Sequence, residues 1–113
     1  MPSERAREWL EDISRNIRLI KDFIEGLDQA GFAADAKTRY AVLHALLTIS
    51  EASRRLPDNI KGRHPDIPWR DMADAGNIYR HEYHSLSVPI VWKTASESLG
   101  PIKKVVEMEL ANS

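Results

Sequence analysis

Apolar residues recur at helical spacing along nearly the whole chain. Trp9, Ile13, Ile17, Ile20, Ile24 and Leu27 follow one another at steps of three or four, which places them on one side of an α-helix. Ser3 stands where a cap would open that helix, and Gly26 stands near where it would close. Asp28 to Phe32, with Gly31 inside it, reads as a short connection. A second helix follows, with Tyr40, Leu43, Leu47 and Ser50 along one side and Val42, Leu46 and Ile49 widening the face, as a central helix requires. His44 lies within this apolar stretch and is expected to be half-buried and hydrogen-bonded. Pro57 ends the helix, because proline lacks the amide hydrogen and disfavours helix in the residue before it.

Three prolines and Gly62 between Pro57 and Pro68 predict a turn-rich connector, with a single helical turn around Asp58 to Lys61 and a solvated His64. Pro68 suits the first turn of a third long helix, in which Trp69, Met72, Gly76, Tyr79 and Tyr83 share a face. Ser87, Val88 and Pro89 open a fourth, running through Val91, Trp92, Ala95, Leu99, Ile102, Val105 and Val106, with a kink or break at Gly100-Pro101. Alternation of polar and apolar residues, the mark of a half-buried strand, is missing. The pattern predicts an all-α fold: an antiparallel bundle of four to five helices, the last one kinked, forming a single domain over residues 1–113.

Composition narrows the class. Sixteen basic side chains face seventeen acidic ones, a formal charge of −1, so the chain does not coat nucleic acid by bulk charge, although a local basic strip could grip one strand. There is no cysteine, which excludes thiol chemistry and fits a reducing cytoplasm. The first dozen residues carry Glu4, Arg5, Arg7, Glu8, Glu11 and Asp12, the opposite of a secretory leader. The uncharged stretch from Tyr40 to Ser50 is about half the ~20 residues that cross a bilayer, so no membrane partner is expected. Arg54, Arg55, Lys61, Arg63 and Arg70 face only Asp58 and Asp66, a local excess of three positive charges and a candidate strip for a phosphate backbone.

Phosphate-binding loops, dinucleotide fingerprints, zinc helices and calcium loops are absent from the sequence. Polar and titratable groups gather instead in GNIYRHEYH, residues 76–84. At ~100° per residue, His81 and Asn77 fall on one side of the third helix one turn apart, with Arg80 and Tyr83 flanking. Imidazole, amide, guanidinium and phenol within about two turns are the groups needed for metal-free RNA cleavage. A histidine would move a proton to or from the 2′-hydroxyl or the leaving oxygen, while an arginine or amide holds the charged phosphate. The alternative is that Tyr79 and Tyr83 simply complete the core stripe and His81 borders it. A metal held between His81 and His84 would lack a third ligand at helical spacing, so no metal or other cofactor is expected.

TISEASRRLP, RHPDIPWRDMADAGNIYRHEY and VPIVW together resemble the HepT-like family, within the wider HEPN group of small helical proteins. The likeness runs from about residue 38 to 105. It implies a helical bundle acting as a homodimer, with a ribonuclease site where the two protomers meet and RNA as substrate. It also implies a toxin paired with a nucleotidyltransferase antitoxin. The family signature is an arginine, four to six residues, then histidine, any residue and tyrosine. His81 and Tyr83 fill the last positions, and Asn77 matches an asparagine that commonly follows the arginine. By this resemblance His81 transfers the proton, and Tyr83 is the tyrosine that the partner adenylylates, adding bulk and negative charge that repel RNA. Gly76 occupies the place of the arginine, and Arg80, one turn on, is the candidate to replace it. A second function follows from that departure: a weak or inactive binding module that docks a nucleotidyltransferase or a nucleotide. A glycine inside a helix also predicts close packing against it, for example by a helix of the second protomer.

Overall fold

A computed structural model describes residues 3–81 and 87–112. They form α1 (Glu4–Ile24), α2 (Gln29–Ala34), α3 (Ala36–Arg55), α4 (Asp58–Arg63), α5 (Trp69–His81), α6 (Val88–Lys93), a π-helical turn (Thr94–Ser98) and α7 (Gly100–Ala111). The fold is all-α. Its four rods are α1, α3, α5 and the interrupted run from α6 to α7, and strands are absent among the described residues.

Local chemistry sets the ends of the elements. The Ser3 hydroxyl accepts from the Ala6 amide at 3.1 Å and opens α1. Gly26, at φ +79, takes the left-handed conformation that closes it. The stretch expected to be a plain connection forms α2, because the Asp28 carboxylate caps it through the Gly31 amide at 2.8 Å and Phe32 is fully buried as its anchor. Asp35 ends α2 and opens α3, accepting from the Thr38 amide at 3.1 Å and the Thr38 hydroxyl at 2.7 Å. Those two bonds, the hydroxyl first, hold its carboxyl below the ordinary range. Pro57 stops α3 as expected, and α4 supplies the helical turn of the connector.

The core is built from Leu10, Ile13, Ile17 and Ile20 of α1, Val42, Leu46 and Ile49 of α3, and Ile102 and Val106 of α7. α3 packs against both α1 and α5, and α7 packs against α1. The buried side of α3 runs through Val42, Ala45, Leu46, Ile49 and Ser53. Tyr40, assigned to the apolar face by spacing, is 56% exposed, and His44, expected to be half-buried, is also exposed. Both lie on the side of α3 turned away from that buried line. The fourth rod breaks earlier than Gly100-Pro101 alone predicts: the helix widens into the π turn at Thr94 and resumes as α7 at Gly100. Phe32 of α2 and Trp92 of α6 meet at 5.3 Å between ring centroids, fixing the start of that rod.

The connector is anchored rather than loose. Glu109 of α7, 5% exposed, accepts from Arg63 Nη2 at 2.6 Å and Arg63 Nε at 3.2 Å, and lies 2.6 Å from His64 Nε2. His64, expected to be solvated, thus has a side chain only 13% exposed. Its carbonyl accepts from the Trp69 indole at 3.0 Å, which ties the same cluster to the start of α5. The Arg63 bond, aided by His64, holds the Glu109 carboxyl at about 2 against an ordinary 4.5. A group depressed in this way stabilises the fold fully above pH 4.5, and the contribution is lost as pH falls through about 2. Glu109→Gln therefore lowers unfolding free energy by about 3 kcal/mol at pH 7, with a gap to the unsubstituted protein that narrows between pH 5 and pH 2. Urea titrations across that range check it, and a gap independent of pH would contradict the assignment.

Candidate functional site

The site is a row of polar groups along the seam between α3 and α5, which run antiparallel: Arg54 meets Ala73 while Glu51, further back on α3, meets Arg80. Gly76 makes the seam tight. A Cβ on it would lie 2.4 Å from Ser50 Oγ and 3.2 Å from Ser50 Cβ. Ser50 cannot readily move away, because its hydroxyl sits 2.7 Å from the Met72 carbonyl oxygen and 3.2 Å from that of Ala73. What packs against Gly76 is therefore α3 of the same protomer, rather than a helix of a second one.

Past this close approach, α5 presents its candidate groups. Asn77 is exposed. Arg80 forms an ion pair with Glu51, its side chain 40% exposed. His81 is the last residue of α5 and follows Asn77 by four positions, so the two share a face one turn apart. Tyr83 and His84 lie outside the described residues. Tyr79, three residues before Glu82 in the sequence, belongs to the core stripe as the alternative reading had it. It packs against the core and lines an apolar cleft of about 310 Å³ with Ile49, Met72, Leu99 and Ile102. Burial pushes its phenol up, away from any role as a base near neutral pH.

The basic strip expected over residues 54–70 is divided. Arg54 Nη2 donates to the Ala73 carbonyl at 2.8 Å, which sets a cation one turn from Asn77 on the α5 side of the seam. Lys61 Nζ reaches the Arg54 carbonyl at 3.4 Å. Arg63 is turned to Glu109 and its charge is matched there. Arg55 and Arg70 are exposed. Sequence spacing puts Ser50 on one side of its helix without giving it a partner and does not single out Glu51; the signal for both is their place on α3 opposite a helical glycine. Among the described residues, no three His, Asp or Glu side chains are grouped to hold a metal ion.

A cationic and amide-bearing seam at the end of a helix that closes on a histidine can bind and orient a phosphate and move a proton beside it. Residues 13–109 match the family model described as ribonuclease HepT-like. The chain belongs to that family. Among HepT-like relatives, a Thermococcus cleftensis protein named "Probable ribonuclease HepT" is 39% identical over 97 residues, covering 86% of this chain and 88% of the relative. "Putative RNase MJ1380" of Methanocaldococcus jannaschii is 32% identical over 108 residues, covering 96% and 99%. A Caldanaerobacter subterraneus protein named "Putative RNase TTE0752" is 26% identical over 101 residues, covering 89% and 90%. No solved structure gives a significant match to this HepT-like chain. No helix among its described residues is long and apolar enough to cross a membrane.

Proposed function

We propose that the chain is a metal-independent endoribonuclease of HEPN type, working as a homodimer in the cytoplasm. The observation that carries this reading is the end of α5, where Asn77, Arg80 and His81 fall within two turns in a chain that belongs to a ribonuclease family. His81 accepts the proton of the attacking 2′-hydroxyl or returns one to the leaving oxygen. Asn77 and Arg80 hold the phosphate oxygens, on which negative charge builds in the transition state. An imidazole suits the proton step because its unperturbed pKa of ~6.5 leaves both forms available near neutrality. The direct test is cleavage of RNA by the purified protein in EDTA; an intact substrate there, with cleavage restored by a divalent ion, contradicts the mechanism.

The chain acts as the toxin of a toxin-antitoxin pair and is silenced when a nucleotidyltransferase partner adenylylates Tyr83. A nucleotide two residues from His81 adds negative charge where RNA must approach, and so repels the substrate backbone. Co-expression with the partner nucleotidyltransferase adds adenylate mass to the peptide that carries Tyr83, and Tyr83→Phe stays unmodified. Mass spectrometry of the pair reads both results, and equal modification of the two proteins would remove Tyr83 from this role.

Gly76 favours a second reading, a weak or inactive module retained to dock the nucleotidyltransferase or a nucleotide. A cation is missing from a signature position, and a side chain there would have to displace the Ser50 hydroxyl. Losing such a donor costs about a hundredfold or more in rate. Partner binding by a protein with no RNA cleavage under any condition would favour this second reading.

A further inference from the structure

Glu51 stands on α3 against Arg80 of α5 and one turn from Arg54, and a carboxylate beside a phosphate site is unfavourable unless it does something there. Its Oε1 is shut off from solvent, and Arg80 lies against it as an ion pair. The pair bridges two helices, since Glu51 stands on α3 and Arg80 on α5, next to His81. We propose that Glu51 is a positioning residue for the ribonuclease reaction, holding the Arg80 guanidinium beside His81 so that residue 80 supplies the cation that meets the phosphate. The proposal rests on the ribonuclease reading above and adds to it the residue that makes an arginine at position 80 usable.

Geometry and charge support this assignment. A free arginine spends most of its time in rotamers that point elsewhere, and its planar fork is useful only when oriented. Five N–H donors radiate from the guanidinium, so pairing one edge with Glu51 leaves the others for phosphate oxygens. Position 76, one turn back, is a glycine packed against the Ser50 hydroxyl, so this half of α5 carries its cation at position 80. Arg54 stands one turn from Glu51 on α3 and donates to the Ala73 carbonyl, one turn before Asn77, whereas Arg80 precedes His81 directly in the sequence of α5. Glu51 thus orients the guanidinium while adding one negative charge near the substrate.

That combination gives a signature that a merely structural ion pair would not. Glu51→Gln keeps the shape of the side chain and removes its charge. Cleavage at saturating RNA falls between about tenfold and a hundredfold, the usual effect of losing orientation, while affinity for a non-cleavable 2′-deoxy analogue stays equal or becomes tighter. Glu51→Asp recovers part of the rate. In an Arg80→Ala background, Glu51→Gln produces no further loss, because the group through which it acts is gone. The reverse pair, Glu51→Arg with Arg80→Glu, restores thermal stability without restoring cleavage, since the cation then stands on the wrong helix.

The series is run beside the unsubstituted protein and His81→Ala. An unsubstituted protein that cleaves RNA, with Glu51→Gln equally fast, overturns the role of Glu51 alone. Equal losses from Glu51→Gln with and without Arg80 overturn it too, as does full activity in the reversed pair. An unsubstituted protein with no cleavage removes the ribonuclease reading, and this proposal with it.

Discussion

His81→Ala abolishes RNA cleavage and leaves the fold unchanged. Proton transfer by a positioned side chain contributes about a hundredfold to ten-thousandfold to a rate, and His81 is the one histidine in the sequence of α5. Tyr79 cannot substitute, because it is turned into the core and burial raises its phenol. The structural cost is small: residue 81 ends α5, and alanine favours helix more than histidine does. Cleavage assays in EDTA, paired with thermal unfolding of the same preparations, separate the two effects. A variant as fast as the unsubstituted protein would show that the cleavage came from a contaminating nuclease or from another residue.

Gly76→Ala destabilises the protein, although alanine in place of an unconstrained helical glycine would stabilise it by about 1 kcal/mol. The new methyl group would stand 2.4 Å from Ser50 Oγ, a separation that real Cβ atoms do not sustain, so either the hydroxyl gives up its contacts to the Met72 and Ala73 carbonyls or α3 and α5 part. Overpacking of this kind costs about 1–3 kcal/mol, enough to reverse the helix gain. Removing the obstruction gives the control. In Ser50→Ala/Gly76→Ala the nearest atom becomes the residue 50 Cβ at 3.2 Å, which a shift of a few tenths of an ångström relieves. The double variant is therefore more stable than Gly76→Ala alone, with a coupling of about 1–2 kcal/mol in urea titrations. Simple additivity, or a more stable Gly76→Ala, would contradict the packing described for the seam. An arginine placed at 76 meets the same obstruction at its first carbon, so it enters only when the Ser50 hydroxyl gives way, as in the Ser50→Ala background.

The long helices were legible because each carries a broad apolar face at a period of three to four and ends on a serine, glycine or proline signal. The short α2 was not, since six residues show too little period, and only the two aspartates that cap its ends reveal it in retrospect. His44 and Tyr40 were misjudged for one reason: spacing defines a face, whereas the neighbouring helices decide which part of a broad face is covered. His64 was misread because its partner, Glu109, is 45 residues away and no local pattern joins them. The candidate site was legible in part: Asn77, Arg80 and His81 fall within two turns by helical spacing alone, whereas the contacts that Ser50 and Glu51 make across the seam become visible only when α3 is laid against α5.

The π turn bears on how the fourth rod can vary in length. Such a turn is an α-helix that has taken in one surplus residue, and by widening it absorbs that residue so that the helix beyond keeps its angular phase. Val91 of α6 and Val106 of α7 are both buried with that surplus residue present. Losing one position between 94 and 98 would return the turn to ordinary helix and leave both valines on their present sides, whereas the same loss within α7 would turn the residues beyond it by ~100°. The π turn is therefore the place where this rod can change by one residue without turning its buried face outward.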